Sequence, residues 1–265
     1  MIRLQDLKIT FNKNTVIEKK AIQGITLNIE EGNFITVIGS NGAGKSTLLN
    51  AIAGDVLPSD GKIYIDDEDV SNKYAYMRSH AVARVFQDPL VGTCGDLTIA
   101  ENMALALKRG SCRSFKRALL KPLREEFAHI LSRLNLGLEN RLDTSMNMLS
   151  GGQRQAVSLL MATLSPLKIL LLDEHTSALD PKTADYVLNL TQDIVSEKKL
   201  TVLMVTHSLN HALQMGNRTI ILHEGKLLFD VNGNERTSLT IEDLLSHFGS
   251  KVDDDRLLLQ QKKDV

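Results

Sequence analysis

The sequence predicts an α/β fold: a parallel-sheet core that carries a small antiparallel β layer and an inserted α-helical lobe. Three textures carry that expectation. Ile169-Leu170-Leu171-Leu172 and Val202-Leu203-Met204-Val205 are continuous apolar runs, as expected of strands covered on both faces in a parallel sheet. Ile2-Arg3-Leu4-Gln5-Asp6-Leu7-Lys8-Ile9 and Gly24-Ile25-Thr26-Leu27-Asn28-Ile29 are near-alternating, the mark of antiparallel strands with one wet face. Between about Asp88 and Leu167 strand-like runs give way to helical spacing, with Phe127, Ile130, Leu131 and Leu134 forming one apolar stripe.

These textures divide the chain into a single domain over residues 1–248, in which 1–88 and 168–248 form the α/β core with its antiparallel layer and 89–167 form the helical lobe. Residues 249–265 read as a charged, frayed tail. At 265 residues the chain can bury roughly 70–75% of its unfolded surface. Its 43% hydrophobic and 24% charged content is ordinary for a globular protein and argues against disorder outside the tail. A net charge of −1 argues against a nucleic-acid partner, which needs a basic face. Cys94 and Cys112 form no CxxC pair, and the start Met-Ile-Arg-Leu-Gln has no leader character, so a reducing, cytosolic setting is expected. The longest apolar neighbourhood, Leu159 to Leu172, is cut by Ser165, Pro166 and Lys168 and is not expected to cross a bilayer.

Taken in order, the strands Ile2–Ile9 and Gly24–Ile29 are followed by Phe34-Ile35-Thr36-Val37-Ile38, a glycine loop and the helical start Leu48-Leu49-Asn50-Ala51-Ile52. Asp60-Gly61 is expected to turn the chain into a short strand, Lys62–Asp66. Arg109 to Arg117 is basic and turn-rich, and a solvated loop is the expectation there. Thr183 to Val195 is helical, the Val202 strand follows, and Glu224-Gly225 joins Thr219–Leu222 to Leu227–Phe229 as a hairpin. No internal repeat and no second phosphate loop is found.

The glycine loop is Gly39-Ser40-Asn41-Gly42-Ala43-Gly44-Lys45-Ser46-Thr47, which fits G-x-x-x-x-G-K-[ST] between a strand and a helix. The bare pattern arises by chance in roughly one chain of this length in a hundred. Glycines let the backbone approach an anion, and the new helix aims its unsatisfied N–H groups at the same spot. A nucleoside triphosphate is expected there, with Lys45 on the β- and γ-phosphates and the Ser46 hydroxyl on Mg²⁺. The alternative is a glycine-rich turn capping a helix.

Asp173 and Glu174 end the apolar run Ile169–Leu172, and ligands gather at the carboxyl ends of parallel strands. Asp173 suits Mg²⁺ binding, and Glu174 suits orienting or deprotonating the attacking water. Two acids capping the next helix is the plainer alternative. His207 closes the strand Thr201–Thr206 and is expected at the same sheet edge, in reach of the γ-phosphate. Ser150-Gly151-Gly152-Gln153 precedes an apolar helix. Ser150 and Gln153 fit a capping box, but two glycines exceed what a cap needs and mark a second anion site, one that serves a nucleotide held by another copy.

In these motifs the chain resembles the ATP-binding subunit of an ABC transporter, up to about residue 248. Gly39 to Thr47 matches Walker A, Gln87 in Val-Phe-Gln-Asp-Pro the Q-loop, Leu149-Ser150-Gly151-Gly152-Gln153 the signature, Asp173 and Glu174 Walker B with its catalytic glutamate, Ser177-Ala178-Leu179-Asp180 the D-loop, and His207 the switch histidine. The resemblance implies a P-loop NTPase (RecA-like) core and an ATPase using ATP and Mg²⁺, with Ser46, Gln87 and Asp173 as the metal's protein contacts. It implies a head-to-tail homodimer sandwiching two ATP molecules. It also implies that the helical lobe grips an integral membrane permease, at the cytoplasmic face of the membrane, in a system with an extracytoplasmic solute-binding protein.

Two positions depart from the family pattern. Phe11 is the nearest candidate for the aromatic that stacks on adenine, with a core position as the alternative, and His175 stands where most members have proline. The texture of Asp-Glu-His-Thr-Ser-Ala-Leu-Asp-Pro resembles a subgroup implicated in aromatic amino-acid import. A permease-free soluble ABC ATPase, for example in cofactor assembly, is the competing expectation. A nucleotide sensor would lack the glutamate or the histidine, and both are present.

Overall fold

The structure is a computed structural model that describes residues 1–111 and 119–248. Most of the basic stretch, from 112 on, and the tail from 249 lie outside the described residues. In chain order the strands are β1 (Ile2–Phe11), β2 (Lys19–Ile29), β3 (Phe34–Gly39), β4 (Asp60–Ile65), β5 (Glu68–Asp69), β6 (Val82–Val85), β7 (Ile169–Asp173), β8 (Val202–Val205), β9 (Arg218–His223) and β10 (Lys226–Asn232). The α-helices are α1 (Lys45–Ala53), α2 (Ala75–Arg78), α3 (Ile99–Leu107), α4 (Lys121–Ser132), α5 (Gly151–Ala162), α6 (Pro181–Lys198), α7 (Leu209–Gln214), α8 (Gly233–Thr237) and α9 (Ile241–Phe248). They form two compact units, Met1–Arg78 with the chain from Leu200 onward, and Ser79–Lys199.

The first unit holds an antiparallel sheet in the order β2-β1-β4-β5. Ile2, Leu4, Leu7 and Ile9 of β1 are buried; the step from Leu4 to Leu7 breaks strict alternation because the register shifts there, at Asp6 with φ +42°. β4 opens at Asp60, so the Asp60-Gly61 pair belongs to the strand rather than to a turn before it. A second run of strands, β10-β9-β3-β8, centres on β3. β8 and β9 flank β3 in parallel and β10 returns antiparallel to β9. Every residue of β3 is buried, which accounts for its continuous apolar character. Ile38 and Ile221 pack against Leu209 and Ala212 of α7 and Leu244 of α9. Each of the Ile and Leu side chains contributes about 1.5–3 kcal/mol on leaving water.

Arg78, 1% exposed, ties this unit together. Its guanidinium donates to the carbonyls of Ala51 (2.6 Å) and Ile52 (3.0 Å) in the last turn of α1, and to those of Val70 (2.6 Å) and Lys73 (2.7 Å). Burial pushes its pKa down to about 10, which leaves it charged near neutrality, where the negative end of the α1 dipole favours a cation.

In the second unit β6 and β7 pair in parallel, from Val82↔Ile169 to Val85↔Leu172. The helices follow their local signals. Thr98 and Glu101 form a capping box at the start of α3. Asp180 caps α6 with Pro181 in its first turn, so that helix begins two residues before Thr183. On α4, Phe127 and Leu131 are buried and Ile130 is half-buried, whereas Leu134, also buried, lies beyond the helix end.

Candidate functional site

In the first unit, α1 starts directly after the glycine loop. Its N-cap is Gly44 at φ +101°, and no side chain caps it. The positive end of the helix dipole at such a start suits an anion. Two of its glycines, Gly39 and Gly44, leave no room for a side chain. A Cβ at Gly39 would stand 2.3 Å from the Leu222 carbonyl oxygen, and one at Gly44 would stand 2.7 Å from that of Ala21 in a conformation that only glycine adopts readily. Lys45 is 6% exposed, and its ammonium folds over the loop to donate to the carbonyls of Gly39 (2.6 Å) and Ser40 (3.0 Å). Ser40 and Thr47 are half-buried, Ala43 is buried, and Asn41, Gly42 and Ser46 are exposed. The loop thus presents a cation and a hydroxyl at a helix start.

The same unit brings His207 to this edge. β8 runs parallel to β3, with Val37 opposite Val205, and the Thr206 N–H donates to the Val37 carbonyl at 3.2 Å. His207 therefore leaves the sheet at the end where Gly39 does. The β9–β10 hairpin braces the loop in a way the sequence did not announce. The Gly225 N–H donates to the Ala43 carbonyl at 3.0 Å, and the Gly225 carbonyl accepts from the Gln23 N–H at 2.8 Å. Phe11 ends β1 opposite Lys19 and is 36% exposed, which excludes a core role.

The second unit holds the acids. Asp173 ends β7 and is 9% exposed. Glu174 follows at φ +49°, its carbonyl accepting from both the N–H and the hydroxyl of Ser177 at 2.9 Å. Val85 pairs with Leu172, so Gln87, which is exposed, emerges at the same end of this strand pair. Arg84 of β6 is a residue that sequence reasoning missed. Its Nη2 donates to Asp173 Oδ2 at 2.6 Å.

At the start of α5 the capping box is realised. The Gln153 N–H donates to Ser150 Oγ (3.3 Å), and the Ser150 N–H donates to Gln153 Oε1 (3.2 Å). Ser150 and Gly151 are exposed and Gly152 is buried. Gly152 has a packing reason besides any ligand: a Cβ there would stand 2.1 Å from Thr183 Cγ2 of α6. This brings the start of α5 against the start of α6, where Asp180 Oδ1 accepts from the Thr183 N–H at 3.1 Å. Hydrogen bonds from Thr183 hold the Asp180 carboxyl below its ordinary range. Arg154 wraps the preceding turn, donating to the carbonyls of Met146 (2.9 Å), Asn147 (3.2 Å) and Leu149 (3.2 Å).

Residues 22–177 match the ABC transporter family. The chain belongs to that family. The cassette is 44% identical to the tyrosine transport ATP-binding protein of Clostridioides difficile, over 94% of this chain and 98% of that protein. It is 32% identical to the methionine import ATP-binding protein MetN of Streptococcus agalactiae, over 100% of this chain and 74% of the relative. Among solved structures, the dimeric post-hydrolysis state of the ATP-binding cassette MJ0796 bound to ADP and Pi matches with a TM-score of 0.74 and 30% identity, covering 88% of this chain and 98% of that one. The cassette is an ATP-binding subunit of an ABC transporter and an ATPase. Cassettes of this family dimerise and work with a membrane permease, and no helix among the described residues is long and apolar enough to cross a membrane.

The residues present fit a nucleotide and a magnesium ion. The uncapped start of α1 and the Lys45 ammonium suit phosphate. In the first unit the Ser46 hydroxyl is a hard oxygen donor of the kind Mg²⁺ takes alongside phosphate and water, and in the second unit, taken by itself, so is the Asp173 carboxylate. Asp173 already faces one cation, the Arg84 guanidinium.

Proposed function

We propose that two copies of this cassette close head to tail around two ATP molecules and power a separate permease that imports amino acids, aromatic ones among them. The permease would be gripped through the helical lobe at the cytoplasmic face of the membrane and fed by an extracytoplasmic solute-binding protein. The observation that carries the dimer is the start of α5, a helix N-terminus with exposed Ser150 and Gly151, in a chain whose phosphate loop stands at the start of another helix. The amino-acid substrate is supported by the tyrosine and methionine systems named for the two relatives.

The roles follow from side-chain chemistry. Gly39, Ser40, Asn41, Gly42, Ala43, Gly44 and Thr47 wrap the phosphates with backbone N–H groups and hydroxyls, and Lys45 adds its charge to the β- and γ-phosphates. Phe11 stacks on the adenine. Ser46, Gln87 and Asp173 hold Mg²⁺, which when bound neutralises charge on the phosphate oxygens. Glu174 takes a proton from the attacking water as the bond from the γ-phosphorus to its bridging oxygen breaks, and His207 hydrogen-bonds the γ-phosphate. Ser150, Gly151, Gly152 and Gln153 of the other copy close the pocket, with Asp180 at its rim.

Replacing Glu174 by Gln removes the proton acceptor and keeps the shape. Turnover should fall a hundred- to thousandfold, about 3–4 kcal/mol, while ATP binding persists and a dimer accumulates in gel filtration with ATP. Hydrolysis within a few-fold of the parent would remove Glu174 from the mechanism.

A further inference from the structure

Arg84 and Asp173 form an ion pair with side chains only 12% and 13% exposed. The guanidinium also lies over the Phe86 ring, 4.6 Å from its centroid, and the Phe86 carbonyl accepts from Gln155 Nε2 at 3.1 Å. Gln155 is buried in α5. The cation is thus held by stacking as well as by charge, on a backbone segment anchored to the helix behind it. Its Nη2 donates to Asp173 Oδ2 at 2.6 Å. A divalent ion approaching Asp173 meets a carboxylate whose charge is already answered, and at this burial the repulsion between the two cations is weakly screened.

We propose that Arg84 is a resident counter-cation that keeps Asp173 a poor ligand for free divalent metal, so that the ion enters and leaves only in company with nucleotide phosphates. Arg84 is then a positioning residue acting through Asp173. The proposal rests on Asp173 being a metal contact.

Mn²⁺ alone, followed by the electron paramagnetic resonance of the free ion, tests it on nucleotide-free cassette. Arg84→Gln should bind Mn²⁺ at least about tenfold more tightly than the parent, and Arg84→Lys, which restores the charge, should return to within about twofold of it. Adding Asp173→Asn to Arg84→Gln should abolish the gain. Arg84→Met, a second neutral side chain, repeats the measurement should the Gln variant fail to fold. Unchanged or weaker Mn²⁺ binding by a folded neutral variant overturns the proposal, as does a gain that survives in the double variant. A separate arm measures Mn²⁺ with saturating ADP on Asp173→Asn alone: unchanged affinity there removes Asp173 from the metal site and the role of Arg84 with it, whereas weaker affinity upholds the site.

Discussion

Glu174 is held in a backbone conformation that costs a non-glycine residue about 1–2 kcal/mol, at φ +49°. Such strain persists where surroundings over-determine it, and it gathers at functional positions. Here the restraint is visible on both sides. Ser177 donates twice to the Glu174 carbonyl, and the His175 ring, 2% exposed, lies 3.1 Å from Thr191 Oγ1. That hydroxyl donates its own hydrogen to the Val187 carbonyl, so His175 Nε2 is the donor to it. The departure from proline at 175 thus gains a polar anchor onto α6. Away from the site, Asp69 is held down to about 2 by hydrogen bonds from the Ser71 hydroxyl and N–H, and then by Lys62. A depressed carboxyl contributes stability that is complete above its ordinary pKa near 4 and lost as pH falls through about 2. Asp69→Asn should therefore flatten the fall in stability between about pH 4 and pH 2 in thermal unfolding, and cost under about 1 kcal/mol at pH 7 because the side chain is largely solvated. The loop from Gly39 to Thr47 was legible from its letters because its chemistry is local. The Arg84–Asp173 pair was not, because it depends on pairing between strands far apart in sequence.

The same distinction holds for whole elements. Strands β1, β2, β3, β7 and β8 announced themselves through period and apolar run, and the β9–β10 hairpin through Glu224-Gly225, both at positive φ. β6 did not, since four residues with an arginine third make neither a continuous run nor an alternation. Nor did the sequence reveal that the hairpin tip carries the phosphate loop. A Cβ at Gly225 would meet the Ala21 carbonyl oxygen at 2.6 Å, at φ +76°. Gly225→Ala should therefore lower stability by about 1–3 kcal/mol and weaken ATP binding severalfold as Ala43 shifts, read by thermal unfolding and by fluorescent-nucleotide titration. ATP affinity equal to the parent would mean that the loop keeps its shape without this brace. Gly152 is a parallel case. Its glycine reads as an anion site in the sequence, and the contact with Thr183 gives it a second reason that emerges only when α5 and α6 pack.

At the scale of the whole molecule, the proposed shared pockets would make activity depend on concentration. Hydrolysis per subunit should rise with cassette concentration and level off once dimers predominate, whereas a self-sufficient subunit would show a flat line. Ser150→Arg places bulk at the exposed start of α5 and should abolish hydrolysis while leaving ATP binding by the single subunit intact; unchanged hydrolysis would remove the shared pocket. The bond from Gly225 to Ala43 also has a temporal meaning. During synthesis the phosphate loop leaves the ribosome long before the segment that steadies it, so a nascent or prematurely terminated chain carries the full nucleotide-binding signature without its final brace. A chain cut short before Gly225 should therefore bind ATP more weakly than the whole cassette, as a fluorescent-nucleotide titration of the two would read.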